Sequence, residues 1–371
     1  MNTSNLITVS RLKSLNACPQ AHYYRYEAGI SSDREAKALR FGRIYHVGLD
    51  LLARGKGDAE VCDRVRENYA TIPEYADPHA WMVECETVMR LLLGWMWRWH
   101  GDGIEVLRSE FVFNLPIINP ESGAATPLFR QSGKIDQKIR LPDGRIAIRE
   151  FKTTADGIEA DGDYWSILRL DPQISAYFSA EPEAETILYD VTHKPGISPL
   201  QIPLVDEFGL KIVLDGDGHR VFLDNGKPRQ SADKAKGWAL QTRLETPEEF
   251  GTRLTEDISN RPDFYYARRE IPRLTADLAD YKRELWEQQK LLRFRQLNDT
   301  WPRHASRNTC DYCAYKAPCF NGQYRIGDQP PTGFSFLSNV HPELEIENDD
   351  DISSTATAPS TETAKCTTAG S

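Results

Sequence analysis

The sequence predicts an α/β fold, in which a block of β-strands is flanked by helical segments. Between residues 106 and 192 hydrophobic residues recur with a period of two, which is typical of strands. Segments before and after this block are predicted as helices. Among the 371 residues, 40% are hydrophobic and 27% are charged, a composition that allows a folded domain with a sizeable core.

The individual elements follow in order along the chain. Ser10 is predicted to cap a helix that runs to about residue 17, because a serine side chain accepts hydrogen bonds from the first helical turn. Further helices are predicted over 36–53, 80–99, 171–178, 247–259 and 271–298. Strands are predicted over 106–113, 133–141, 145–152 and 186–192. The turn-rich stretch 199–242 is predicted to be an inserted β segment.

Negative charge is concentrated near the C-terminal end. The net charge is −10, of which residues 341–371 carry −6, with seven acidic residues and one lysine. The acidic balance of the whole chain therefore does not exclude a nucleic-acid partner. Residues 348–371 contain too few apolar side chains to offset the entropy lost on folding. We therefore predict a folded domain over 1–340 and a disordered acidic tail over 341–371.

No segment is predicted to cross a membrane, and we expect a cytoplasmic protein. The longest apolar run, 91–97, is far shorter than the roughly 18 residues that a span requires. The first residues lack the basic start and apolar core of a signal peptide. Seven cysteines, an odd number in a chain of this length, favour a reducing compartment.

Four basic residues near the start of the second predicted helix would form a stripe if they lay on a helix. Arg34, Lys37, Arg40 and Arg43 recur every three residues and would share one helix face. Such a stripe could contact phosphates, or it could be a solvated helix face. The sequence leaves both interpretations open.

The most informative segment combines an aspartate with a Glu-x-Lys motif. The residues between the two strands, 142–144, read Pro-Asp-Gly, which suits a three-residue loop whose glycine adopts the left-handed conformation. This loop would set Asp136 opposite Glu150, and alternation along the strand puts Lys152 on the same face. The three side chains are therefore predicted to converge.

Two carboxylates at cross-strand distance repel each other unless a proton or a cation lies between them. Oxygen ligands of this kind favour Mg²⁺ or Mn²⁺. A lysine beside such a cation can orient water or hold a phosphate oxygen, which is the chemistry that phosphodiester hydrolysis needs. The alternative is a surface hairpin with scattered charges, since Glu-x-Lys is common by chance.

The arrangement resembles the PD-(D/E)XK nuclease superfamily, and specifically its RecB/AddB-type branch. Gly42-x-x-x-His46 is similar to the histidine motif of that branch, and Gln173-x-x-x-Tyr177 is similar to its helical Gln-x-x-x-Tyr motif. One departure is Ile135, where proline is frequent. The resemblance implies a mixed central sheet flanked by helices. It also implies functions for a set of residues: metal ligation by His46, Asp136 and Glu150, and catalysis by Lys152, Asp136, Glu150, Gln173 and Tyr177.

A second cluster consists of cysteines. Cys310, Cys313 and Cys319 lie close in sequence, and Cys18 near the other end is the candidate fourth ligand. From the residues alone, zinc is the default for four thiolates and a 4Fe–4S cluster is its competitor. The spacing resembles that of AddB-type nucleases with an iron–sulfur staple and of a CRISPR-adaptation nuclease family. This resemblance implies a 4Fe–4S cluster, with Zn²⁺ the less favoured occupant.

These features together predict a metal-dependent DNA nuclease, most simply an exonuclease in DNA end processing or recombination. Its expected partner is DNA, with a recombinase or helicase as a further partner, because no phosphate-binding loop for a motor is present in the sequence. A CRISPR-adaptation nuclease is an alternative that gene neighbourhood would distinguish. The second alternative is a catalytically silent DNA-binding scaffold with the same fold.

Overall fold

A computed structural model describes residues 5–322 and 324–345. Its strands are β1 (Leu6–Ile7), β2 (Ile30–Ser32), β3 (Glu105–Ile118), β4 (Ala125–Arg140), β5 (Ile146–Thr154), β6 (Thr186–His193), β7 (Gln201–Pro203), β8 (Val213–Leu214), β9 (Ala239–Leu240), β10 (Thr242–Leu244), β11 (Tyr266–Ile271) and β12 (Phe334–Phe336). Its longer helices are α1 (Val9–Ala17), α3 (Lys37–Ala53), α4 (Asp58–Tyr69), α5 (Pro78–Arg98), α7 (Pro172–Ala180), α8 (Pro247–Asn260) and α10 (Thr275–Asn298). Its short helices are α2 (Pro19–His22), α6 (Asp163–Leu168), α9 (Pro262–Tyr265), α11 (Arg307–Cys310) and α12 (Lys316–Asn321).

The central sheet has six strands and mixed direction. Its order is β1-β4-β5-β6-β11, and β3 pairs with β4 along the other edge of that strand. The β4–β5, β3–β4 and β6–β11 pairs are antiparallel, whereas β5–β6 and β1–β4 are parallel. The antiparallel hairpin of β4 and β5 lies at the centre, where it is covered on both faces.

Helices cover both faces of this sheet, which confirms the predicted fold class. On one face, side chains of α1, α7 and α10 pack against Ile135 and Ile148 of the central hairpin. On the other face, α3, α4, α5 and α8 form a second core with Phe151. Because strand side chains alternate between faces, β5 contributes to both cores. The central strands are thereby held rigidly between two hydrophobic layers.

The central hairpin has the predicted loop and register. Leu141 N–H donates to the Arg145 carbonyl at 2.9 Å, and Gly144 has φ of +90°. A side chain would be strained at that angle, so glycine is suited to close the three-residue turn. Gln137 consequently pairs with Arg149.

Three elements differ from the sequence prediction. The stretch from residue 271 was predicted as helical from its start, but the helix begins at Thr275, and 266–271 form the edge strand β11. Residues 58–69 form the unpredicted helix α4, because Val61, Val65 and Tyr69 bury one narrow stripe against α3 and α5. The first helix is capped by Thr8 rather than Ser10, since the Thr8 hydroxyl accepts from the Arg11 N–H at 3.1 Å.

The predicted basic stripe is not a continuous solvated face. Arg40 is buried and donates to both carboxylate oxygens of Glu84, at 2.8 and 2.9 Å. Arg43 is paired with Glu35 at 3.2 Å. The neighbouring helix α5 approaches the middle of the stripe and neutralises it, which the spacing of charges along one helix could not show.

The folded body extends beyond the predicted boundary at residue 341. His341 is fully buried, and Glu343 accepts a hydrogen bond from the Thr8 hydroxyl at 3.0 Å. Residues 341–345 are therefore packed against the N-terminal segment, and the rest of the predicted tail, 346–371, lies outside the described residues. The predicted insertion contains the short strands β7 to β10. Within the described residues, every helix is too short or too polar to span a bilayer.

Candidate active site

Three carboxylates form a row across the centre of the sheet. The β3–β4 register pairs Ser109 with Gln137 and Phe111 with Ile135, which sets Glu110 opposite Asp136. One step beyond the paired residues of the β4–β5 hairpin, the same register sets Asp136 opposite Glu150. The hairpin loop thus brings the sequence-predicted carboxylates Asp136 and Glu150 to adjacent positions, and β3 adds a third.

Asp136 is held by the helix above it and by the neighbouring strand. Its Oδ2 accepts the backbone N–H of Phe151 at 2.8 Å. Its Oδ1 lies 3.5 Å from Nδ1 of His46 on α3. A methyl group at Gly42, one helical turn before His46, would be in ordinary contact with Thr153 at 3.8 Å. The helix α3 therefore lies close against β5, and the Gly-x-x-x-His spacing brings the imidazole to Asp136.

Glu150 is linked to Lys152 and to the helix α7 by a chain of hydrogen bonds. Lys152 Nζ donates to Glu150 Oε1 at 2.6 Å and to Gln173 Oε1 at 2.9 Å. The Gln173 amide nitrogen donates to Glu150 Oε1 at 2.9 Å and to the Tyr177 hydroxyl oxygen at 2.5 Å. The Tyr177 hydroxyl in turn donates to the Lys134 carbonyl at 2.9 Å. Gln173 and Tyr177, one helical turn apart, are thus both brought to the sheet as predicted.

Burial and mutual repulsion determine the charges of these groups. Burial lowers the pKa of His46, but the Asp136 carboxylate outweighs it and raises that pKa to about 9. Burial and the Asp136 charge raise the pKa of Glu150 above its usual range. Burial lowers the pKa of Lys152, but Glu150 outweighs this effect and raises it, so Lys152 remains protonated at neutral pH. The repulsion between Asp136 and Glu150 is an effect that a cation would compensate.

Glu110 is a candidate ligand that the sequence analysis missed. It has φ of +46° within a strand, a strained conformation for a residue with a side chain. Its carboxylate is paired with Lys134 Nζ at 2.5 Å, and burial together with the Asp136 charge raises its pKa. The predicted strand 106–113 contains Glu110, but the 19-residue connection to the next predicted strand left its register open. Glu110 follows Arg108 and Ser109 in that strand, so its charge alone did not single it out.

The residues present fit a divalent cation. Ligand atoms of His46, Glu110 and Asp136 all lie within 4.8 Å of one another. Glu150 lies outside that group, but its Oε2 is buried and has no hydrogen-bond partner. A buried carboxylate oxygen without a partner costs free energy unless a cation or a water satisfies it. The carboxylate oxygens of this group are ligands that suit Mg²⁺ or Mn²⁺.

The four predicted cysteine ligands line one cavity at the junction of the N- and C-terminal segments. Cys18 lies between α1 and α2, and the other three lie on or beside α11 and α12. Burial raises the pKa of the Cys313 thiol, and the other three thiols raise it further. Among the described residues, these sulfurs do not form a group within 4.8 Å of one another. Cys62 and Cys85 lie elsewhere, in the core between α4 and α5.

One of three comparisons with known proteins agrees with this geometry. A search of the curated proteins finds no match. Among solved structures, the chain is similar to one described as "Crystal structure of SSO0001", with 13% sequence identity, a TM-score of 0.33, and coverage of 87% of this chain and 90% of that chain. That similarity is too low to assign a fold or a function. The family profile of the PD-(D/E)XK nuclease superfamily, in contrast, matches residues 6–320, which include every motif residue described above. The chain therefore belongs to the PD-(D/E)XK nuclease superfamily.

Proposed function

We propose that this protein is a metal-dependent deoxyribonuclease that hydrolyses DNA from its ends. The observation that carries the proposal is the buried Glu150 carboxylate, in which one oxygen is held by Lys152 and Gln173 and the other has no partner. Superfamily membership indicates a nuclease. The assignment to exonucleases is supported by the His46 and Gln173-x-x-x-Tyr177 motifs, which resemble those of the RecB/AddB-type branch.

His46, Asp136 and Glu150 are the proposed metal ligands, with Glu110 as an additional one. When bound, Mg²⁺ or Mn²⁺ supplies charge stabilisation to the phosphoryl group and makes a bound water more acidic. His46 would have to be deprotonated to act as a ligand, and Asp136 would then lose its ion pair with the imidazole. Glu150 contributes Oε2, since its Oε1 already accepts two hydrogen bonds.

Lys152 acts as a fixed positive charge rather than as a base. It stays protonated because Glu150 raises its pKa. The ammonium group can hold a phosphate oxygen or orient the attacking water through its third proton, since the other two are donated to Glu150 and Gln173. Gln173 and Tyr177 are positioning residues, because their hydrogen bonds fix Lys152 and Glu150 relative to the sheet.

A cleavage assay on two DNA topologies tests this function. We expect linear DNA with a labelled end to be degraded in Mg²⁺ or Mn²⁺, while covalently closed circular DNA of the same sequence stays intact. The Lys152→Ala variant should degrade neither. Equal cutting of the circular DNA would contradict the exonuclease assignment, and intact linear DNA with both metals would contradict the nuclease assignment.

We further propose that Cys18, Cys310, Cys313 and Cys319 hold a 4Fe–4S cluster that ties the two ends of the domain together. A zinc site with Zn–S bonds of about 2.3 Å would bring the four sulfurs to within about 4 Å of one another. The larger cluster is preferred to zinc because the cysteine spacing resembles that of AddB-type nucleases with an iron–sulfur staple. Anaerobically purified protein should then be brown, and colourless protein with one stoichiometric zinc would contradict the iron assignment.

The proposed cellular setting is DNA end processing or recombination in the cytoplasm, beside a recombinase or a helicase. Deleting the gene and measuring recombination frequency and survival after double-strand breaks would test this setting. Unchanged values for both would contradict it without affecting the biochemical assignment.

A further inference from the structure

A half-buried lysine lies beside the active site, at the point where β6 ends, and has no part in the proposed chemistry. Lys194 follows directly after β6, and its backbone N–H donates to the Thr154 carbonyl of β5 at 2.7 Å. This bond continues the parallel pairing of the two strands, in which Thr154 is aligned with His193. Since Thr154 is two residues after Lys152 on β5, Lys194 is held close to the active site.

The side chain of Lys194 lies along the helix that carries His46. Its Nζ is 4.9 Å from the centre of the Phe41 ring on α3. A hydrogen bond of 2.9 Å between the hydroxyl groups of Tyr45 and Thr192 fixes the same helix to β6. Five residues separate Phe41 from His46, which corresponds to about 7.5 Å along the helix axis. The ammonium group therefore lies one to two helical turns from a proposed metal ligand.

The hydroxyl of Thr153 lies between these two positions. The register pairs Thr153 with Thr192, so both side chains are on the face of the sheet that α3 covers. A methyl group at Gly42, which follows Phe41 on α3, would be 3.8 Å from Thr153 Oγ1. Thr153 is half-buried, and within the described part of the chain its hydroxyl makes no hydrogen bond. It is thus a donor available to a ligand.

Cations are in excess around Lys194. Arg40 already donates to both oxygens of Glu84, and Lys37 lies 3.9 Å from that carboxylate with its side chain 75% exposed. Lys194 makes no salt bridge with any residue that the structure describes. Burial lowers the pKa of its ammonium group, Glu84 partly opposes this, and the charge of Lys37 lowers the pKa further. Lys37 and Lys194 thus repel each other, which an anion would relieve.

We propose that Lys194 and the Thr153 hydroxyl bind a backbone phosphate of the DNA strand that enters the active site, with Lys37 as a second, more exposed cation. We call these three residues the lysine site. An ammonium group, a free hydroxyl and no matching carboxylate suit an anion with several acceptor oxygens. The choice of DNA as the source of the phosphate rests on the proposed function.

The lysine site would fix the position of the strand relative to the cut. A B-form strand carries one phosphate per about 3.4 Å of axis, so a site about 7.5 Å from His46 corresponds to the second phosphate from the cleaved one. Contacts to phosphate carry no sequence information, so the site would hold strands of any sequence in register.

The test measures binding separately from cleavage, in full-length protein that carries Lys152→Ala, with Mg²⁺ present. Its probe is a short DNA duplex, labelled at one end, in which one neutral methylphosphonate replaces one phosphodiester and is moved along the strand linkage by linkage. We expect one linkage near the end at which this replacement weakens binding about fivefold or more at about 0.1 M salt, because the contact there is lost.

Lys194→Met should weaken binding to unmodified DNA by a similar factor and reduce the salt slope by about one. Methionine keeps an unbranched apolar chain over Phe41, so the melting temperature should change little. In this variant the methylphosphonate at the sensitive linkage should cause no further loss. Lys194→Arg keeps the charge and should retain most of the binding.

Lys282→Met is the matched control. It removes the same charge from an exposed lysine on α10, which packs against the opposite face of the sheet. It should leave the affinity unchanged, and the methylphosphonate should still weaken binding at the same linkage.

Three results would overturn the proposal. The first is equal weakening by Lys194→Met and Lys282→Met, and the second is a sensitive linkage that stays sensitive in Lys194→Met, as expected if Lys194 only packs on Phe41. The third is displacement of DNA by inorganic phosphate well beyond the effect of chloride at equal ionic strength, which would indicate a site for a free anion.

The methylphosphonate leaves the protein unchanged, so this arm does not depend on how a variant folds. If wild-type protein fails to cut DNA but the sensitive linkage depends on Lys194, the proposed function fails and the lysine site stands. Cleavage by wild-type protein without such a linkage is the opposite outcome.

Discussion

The active site and the four-cysteine site position their side chains in different ways. In the active site, the carboxylates lie on adjacent strands whose core residues Ile135 and Ile148 are fully buried. In the four-cysteine site, the ligands lie in the terminal segments, and α11 and α12 have only four and six residues. Register and packing fix the first arrangement, whereas helices of that length are not stable by themselves.

This difference indicates that the two proposed metal sites would have opposite relations to folding. At the active site, folding of the sheet brings like charges together, so a cation would relieve their repulsion after the protein has folded. At the four-cysteine site the metal would contribute folding free energy directly, as it does in small metal-binding domains. Removing the first metal should stop chemistry, and removing the second should loosen structure. Four predictions test this contrast, starting with the largest expected effect.

Asp136→Asn should lower the cleavage rate by about 10³-fold or more while leaving the protein folded. The substitution removes a charge that compensates the metal, an effect worth about 3–4 kcal/mol or more in the transition state. Asparagine keeps an oxygen for the Phe151 N–H, so the melting temperature should change little. Single-turnover cleavage and thermal melting measure the two quantities.

Glu121→Gln is the control for this prediction, since Glu121 is an exposed carboxylate in the turn after β3. It should behave as wild type in both measurements. If Asp136→Asn instead unfolds the protein, the carboxylate row is part of what holds the sheet together, and the contrast between the two sites fails.

Cys313→Ser should destabilise the protein by about 2–5 kcal/mol, comparable to the loss of other cross-links between distant segments. Cleavage per folded molecule should change far less than for Asp136→Asn. Chemical denaturation gives the free energy of unfolding, and limited proteolysis should show earlier cutting near α11 and α12. Cys62→Ala, a change at a half-buried cysteine outside the cluster, should cost about 1 kcal/mol or less. If the two variants were destabilised equally, this result would contradict a structural role for the four-cysteine site.

Glu110→Gln should weaken Mn²⁺ binding at least about tenfold, with a smaller loss of cleavage at saturating metal. Glutamine keeps a hydrogen bond to Lys134 but removes one negative charge from the row, so the metal-free protein should become slightly more stable. Calorimetric titration with Mn²⁺ measures the affinity. Glu105→Gln, on the exposed end of the same strand, is the control and should bind Mn²⁺ as wild type does. Unchanged binding in Glu110→Gln would exclude Glu110 from the metal site.

The smallest effect concerns pH. The folded-state pKa values of His46 and Glu150 are both raised, His46 to about 9, so both groups contribute stability at low pH that is lost as pH rises through those values. A cation needs both groups deprotonated. The rise in melting temperature caused by Mn²⁺ should therefore grow between about pH 6.5 and about pH 8.5, because fewer protons have to be displaced as the pH rises. His46→Gln should show a shallower dependence, and an increase toward low pH would contradict the assignment.

Local chemistry made a large part of the active site predictable. The Pro-Asp-Gly turn determines its own geometry, and a three-residue loop then sets Asp136 opposite Glu150 without any information from the rest of the chain. The helical spacing of Gln173 and Tyr177 likewise puts both on one face. Glu110 could not be found in this way, because the turn that joins β3 and β4, 119–124, lies far from it along both strands, and the pairing shifts register between Pro116 and Ile118.

The same distinction explains the question that the sequence left open on α3 and the strand that it missed. The stripe on α3 was judged from one helix, but whether Arg40 is solvated depends on Glu84 of another helix. The strand β11 was missed because the charged Arg268 interrupts the apolar pattern that predicts a strand. In the folded protein Asp190 of β6 pairs with Arg268 at 2.7 Å and neutralises its charge. Side chains of this kind take their environment from elements far away in sequence.

The sequence by itself determined the α/β class, the central hairpin, its register and the order of the polar motifs, because turns and periodicities depend on neighbouring residues alone. The tertiary structure decided which charges are buried, how Glu110 joins the row, and that Lys194 after β6 lies against Phe41 of α3. These features arise from packing between distant segments, whose free energy no local pattern contains.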